Sequence, residues 1–271
     1  AGFCVIVSLY FQTMEVTIYS ILIWITAILI GSLDLVILLG SRNLSSRIFA
    51  AFTFFAALWA AAYGLHMATL AADLALLFVK IELVIGLLIS ADFYYFSLIY
   101  PDDKPPKNNR LVISLLVLVV VGFYVLYFHT DFLIFGAYMV NDPQRWGWKY
   151  NPTIWMYTFT FALLWILGLR NIYRRLMNSS KIAERSNLTY MLIALVVGVV
   201  PPFVLNIVFP FSGYYKFGWL GPIASSFWIF IIAHSIIRYR QMNVRAFFAE
   251  VLVLSMAALM FINIFTNIPL G

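Results

Sequence analysis

The sequence predicts an all-α polytopic membrane protein: a bundle of seven transmembrane helices with an eighth apolar helix at its C-terminal end. Three observations carry that class. The 271 residues are 64% hydrophobic and only 10% charged, where soluble domains hold about 25% charged residues. The apolar residues fall in runs long enough to cross a hydrocarbon layer of roughly 30 Å as helices. The connections between those runs alternate between rich and poor in lysine and arginine, the signature of a chain threaded back and forth through a bilayer.

Taken in order, residues 1–13 read as a tag remnant or an N-terminal extension, because Leu9-Tyr10-Phe11-Gln12 ahead of Met14 resembles the end of a cleavage site. Residues 14–245 form the seven-helix region. Its spans are Val16 to Gly40, Arg47 to Leu70, Leu74 to Tyr100, Leu111 to His129, Thr153 to Leu169 with a basic tail, Leu188 to Phe211, and Trp219 to Ile237. Residues 246–271 add an apolar helix from Phe247 to Ile268, and the chain reads as truncated before signalling domains. Pro201-Pro202 removes two amide donors inside the sixth span and kinks it. In the long connection from Thr130 to Pro152, Trp146, Trp148 and Tyr150 are expected to form an interfacial aromatic belt, with a lid over a pocket as the alternative.

Thirteen basic residues fall in the first, third, fifth and seventh connections; the opposite side holds only Arg145, Lys149 and Lys216. The positive-inside rule then puts the N-terminus outside and the end of the seventh helix in the cytoplasm of a cell membrane. The net charge of +6 is thereby read as topology and anionic-lipid contact, not nucleic-acid binding. A single cysteine, Cys4, excludes an intramolecular disulfide and any multi-cysteine metal site. Three glycosylation sequons, at Asn43, Asn178 and Asn187, lie in the expected cytoplasmic connections and are read as chance.

The third span organises the rest, since it carries Lys80, Glu82 and Asp92 inside an apolar run. At 100° per residue, Gly86, Ser90, Phe93, Ser97 and Tyr100 share a sector of about 80° with Glu82, and that stripe must face protein. Lys80 points about 160° away and Asp92 about 80° to the other side, so the three charges cannot pair along their own helix.

Glu82 lies about 12 Å below the outer end of the span, which makes it either a ligand or proton contact or a structural carboxylate bonded to a neighbouring helix. Lys80 is shallow enough to snorkel its ammonium to the headgroups. His66 is expected at headgroup level, and Asn206 is an interhelical hydrogen-bonder or a pocket residue. The ligand-binding hypothesis joins Glu82, Asn206 and His66 in a cavity between the second, third and sixth helices. A second hypothesis places Asp34, Asp92 and His234 in a signal-transmission polar cluster toward the cytoplasm, against the plainer reading of fixed pairs with Arg238 or Arg240. No H-E-x-x-H, P-loop, G-x-S-x-G or clustered His/Cys pattern occurs. We therefore expect no catalytic residues, no metal and no cofactor. The seventh span also lacks the lysine a retinal pigment needs.

Three segments carry a family resemblance: Asn43 to Phe49 through Leu58-Trp59-Ala60, Lys80 to Tyr100 ending in Phe93-Tyr94-Tyr95-Phe96, and Ala233-His234-Ser235-Ile236-Ile237-Arg238-Tyr239-Arg240. Together they resemble the seven-transmembrane N-terminal sensor region of prokaryotic sensor histidine kinases, over roughly Ile18 to Arg245. The resemblance implies a membrane input module of two-component signalling. Such a module is not itself an enzyme. It takes an unknown small-molecule or membrane-derived ligand and is joined to cytoplasmic domains that dimerise as an autokinase. The alternative is a transporter or channel subunit with a polar path along the third and sixth helices.

Overall fold

The computed structural model describes residues 14–40, 43–140, 146–226, 229 and 231. It is built of long helices, α1 Ile18–Gly40, α2 Leu44–Ala68, α3 Ala72–Ile99, α4 Asn109–His129, α5 Ile154–Asn178 and α6 Ile182–Phe203, with residues 220–226 also helical. α6 runs on through a π-helical turn at Val204–Val208 into a last turn, Phe209–Phe211. Five helical stretches are long and apolar enough to cross a membrane: α1, α2, α3, α4 and Glu184–Phe211. The expected fifth span is present as the first two-thirds of α5, but that helix is one continuous rod whose apolar part gives way to Arg170, Arg174 and Arg175. Most of the seventh span and all of residues 246–271, like residues 1–13, lie outside the described residues.

Local chemistry fixes the helix ends. α1 starts on a reciprocal pair in which the Ser20 amide donates to Thr17 Oγ1 at 3.2 Å and the Thr17 amide donates to Ser20 Oγ at 3.0 Å, a capping-box arrangement. α2 is capped from elsewhere in the chain. Asp103, with φ of 59°, turns its carboxylate to accept from the amides of Leu44 at 3.3 Å and Ser45 at 2.7 Å. This satisfies two of the orphan donors at the helix start and locks the α3–α4 connection to the α1–α2 end of the bundle.

The stripe of α3 is buried as expected, and its main partner is α5. Gly86 meets Tyr157, Ser90 accepts from Trp165 Nε1 at 3.1 Å, and Phe93 stacks on Trp165 with ring centroids 4.1 Å apart. Farther along, Asn171 Nδ2 donates to Ser97 Oγ at 3.0 Å, and the Arg175 guanidinium donates to the carbonyls of Leu98 and Tyr100. The two helices thus interlock over five turns, with hydrogen bonds taking the place of the hydrophobic drive that is absent between helices in lipid. Gly168 makes the approach possible, because a Cβ there would sit 2.4 Å from the Phe93 ring. α4 is peripheral, with Tyr127 its one buried residue and Leu111, Leu118 and Val121 turned outward, as suits a lipid-facing helix.

At the end of the bundle where α2 meets α3, the chain forms an antiparallel hairpin, β1 Ile134–Met139 with β2 Trp146–Tyr150. The expected aromatic belt is corrected here. Trp146 and Trp148 are 6% and 5% exposed, turned inward onto the bundle, and Trp146 Nε1 donates to the Thr69 carbonyl at 2.9 Å. A strand pair places alternate side chains on one face, and that face is used to cover the helix ends.

Candidate functional site

Beneath the hairpin lies a cavity of about 130 Å³ whose walls come from α2, α3, α5, α6, the hairpin and the start of the seventh helix. Glu82, His66 and Asn206, reached from the sequence by depth and helical face, all line it. The three earlier proposals for α2, α3 and α6 therefore converge in space, whatever their role.

Glu82 is 5% exposed and accepts or shares a proton with His66, Nδ1 to Oε1 2.9 Å. His66 is 1% exposed, so the expectation of a headgroup-level residue is overturned: the hairpin buries it. Its imidazole is held between the Tyr63 ring, centroids 5.1 Å apart, and the edge of Trp148 at 4.9 Å. Its second nitrogen, Nε2, is buried with no hydrogen-bond partner among the described residues. The same is true of both polar atoms of Asn206, which sits in the π-helical turn just past Pro201-Pro202. A π turn of this sort aims a side chain out of register with the helix before it, and such turns recur at functional sites. The seventh helix comes so close that a Cβ on Gly221 would fall 1.6 Å from Asn206 Nδ2.

Aromatic residues that the sequence did not single out complete the walls, among them Tyr157, Phe161 and Trp165 of α5. The Tyr157 hydroxyl donates to the Leu83 carbonyl at 3.0 Å, which turns one edge of α3 toward the cavity. Their sequence signal was the α5 spacing Tyr157, Phe161, Trp165, Gly168, a single face of a helix. The hairpin is pinned by Tyr215, whose hydroxyl accepts from the Trp148 amide at 3.2 Å and lies 3.3 Å from the Tyr138 hydroxyl. Burial, above all, pushes the phenols of Tyr150 and Tyr215 well above their usual range, so both stay neutral hydrogen-bonding groups.

The second predicted cluster does not assemble as one unit. Asp34 is buried and accepts from Thr53 Oγ1 at 3.2 Å, a fixed α1–α2 contact. Asp92 keeps one carboxylate oxygen buried without a partner among the described residues, and His234, Arg238 and Arg240 lie outside them. Lys80 places its ammonium 5.8 Å from the centre of the Tyr127 ring, away from Glu82. Among the described residues no three His, Cys, Asp or Glu side chains converge to hold a metal.

Long apolar helices around a buried polar pair and an aromatic cavity define a polytopic helical membrane protein. Within that class the family is specific: the chain belongs to the N-terminal 7TM region of histidine kinase, whose pattern matches residues 20–245. That region is the sensor part of such kinases and carries no catalytic domain of its own. The curated proteins gave no match.

Proposed function

We propose that this chain is the input domain of a two-component histidine kinase, and that it takes its cue as a small ligand in the cavity under the hairpin. The observation that carries this reading is the set of unpaired polar atoms there, His66 Nε2 and the Asn206 amide, beside the Glu82 carboxylate. A buried polar group without a partner costs about 1–3 kcal/mol, and three such atoms on one cavity wall are what a ligand would satisfy. Its occupancy would be felt at once by α6 and the seventh helix, since Asn206 packs against Gly221. The seventh and eighth helices then carry the change toward the cytoplasmic domains. In this reading the hairpin faces outside, and the basic ends of α3, α5 and α6 face the cytoplasm.

Replacing Glu82 by Gln keeps shape and hydrogen bonding while removing the charge. An input-site role predicts an altered stimulus response of the full-length kinase with folded yield little changed. Normal folding together with a normal response would remove Glu82 from the site.

A further inference from the structure

The chemistry of the cavity says more than that something binds; it restricts the charge and size of the occupant. Its one ionisable acid is Glu82, and no Lys or Arg occurs among the described residues that line it. With the His66 Nδ1–H donating across 2.9 Å, the pair carries one net negative charge and leaves Nε2 as an acceptor. Asn206 Oδ1 is a further acceptor without a donor. The rest of the wall is ring surface from Trp59, Tyr63, Trp148, Tyr150, Tyr157 and Phe161. Aromatic faces present negative potential and attract cations, most strongly where water is excluded. An anion would meet the Glu82 charge at short range, and a neutral hydrocarbon would leave every polar atom unpaired.

Size follows from volume. At about 130 Å³ the space is close to that of a dry cavity of about 150 Å³ known to take benzene, so the occupant is of the order of one six-membered ring with a short polar substituent. We infer that the input site recognises a small organic ammonium ion, its N–H donors on Glu82, His66 Nε2 and Asn206 Oδ1 and its apolar body against the aromatic walls. The inference rests on the reading of this cavity as a ligand site.

The test uses three probes of one shape and different charge, benzylammonium, benzyl alcohol and benzoate, titrated into the purified chain in lipid nanodiscs. Tryptophan fluorescence and the unfolding temperature serve as readouts. Benzylammonium should bind at least about tenfold more tightly than benzyl alcohol, with no binding of benzoate. Glu82→Gln should abolish that preference while retaining the alcohol. Asn206→Asp, a second variant in case the first does not fold, adds a carboxylate to the same wall and should strengthen the preference. Equal binding of the alcohol and the ammonium, or a preference untouched in Glu82→Gln and weakened in Asn206→Asp, overturns the ammonium assignment and leaves the cavity as a neutral-ligand site. If none of the three probes binds, the cavity reading itself falls along with it.

Discussion

At the scale of single residues, the bundle is tuned by a few close approaches and one buried pair. His66 and Glu82 are each nearly sealed from solvent, so removing one leaves the other without compensation. His66→Ala should therefore lower stability by about 3–5 kcal/mol, read as a fall in unfolding temperature in detergent, whereas Glu82→Gln, which can still hydrogen-bond His66, should cost much less. Gly168→Ala introduces a methyl 2.4 Å from the Phe93 ring, and overpacking of that kind costs about 1–3 kcal/mol. Comparing the two variants separates a polar loss from a steric one, since only the first should be relieved by a change that restores hydrogen bonding. Glu82, His66 and Asn206 were visible in the sequence because a polar residue inside an apolar helix stands out, and its depth can be counted. Tyr157 and Trp148 were not, because in a chain with 18% aromatic residues a single ring carries no signal until its neighbours are known.

At the scale of elements, what was legible was periodic and what was missed depends on partners distant in sequence. The apolar runs and the stripe on α3 follow from helical spacing alone, and both are present. The cap of α2 was not legible, because Asp103 lies about sixty residues away from the amides it accepts. Asp103→Ala should weaken the start of α2 by about 1 kcal/mol, measurable as faster amide exchange at Leu44 and Ser45. The hairpin was hidden for a different reason: its two strands are short and interrupted by Gly136 and Gly147, so no alternation marks them. Its inward tryptophans are what hold it. Trp146→Ala would lose the bond to the Thr69 carbonyl and open a hole under the strand, a change of about 3–5 kcal/mol if the site does not collapse. The same variant should raise water access to His66, so the rate of its imidazole hydrogen exchange reports whether the hairpin is the cover of the cavity.

At the scale of the whole molecule, the arrangement of charge and cavity yields one orientation. The fold gathers the α1–α2, α3–α4 and α5–α6 connections at one end, where Asp103 caps α2 and Arg175 reaches the carbonyls that end α3. That end carries Arg170, Arg174, Lys181 and Arg185, and at the other end the hairpin and the Ser212 turn are poor in basic residues. Because cytoplasmic loops hold the excess of lysine and arginine, the cavity-bearing end should face outside and the basic end inside. In a Cys4→Ser background, a cysteine at Ser212 should react with an impermeant maleimide on intact cells, and a cysteine at Ser180 only after lysis; both serines are exposed. Labelling of the two positions from the same side would refute the orientation and, with it, the placing of the ligand cavity toward the exterior. The charge pattern alone would reach this topology, but the cavity adds a second reason: a site roofed by a soluble-style hairpin and rimmed by Tyr215 opens to the water layer on that side, so the labelling result and the ligand's route of arrival must agree.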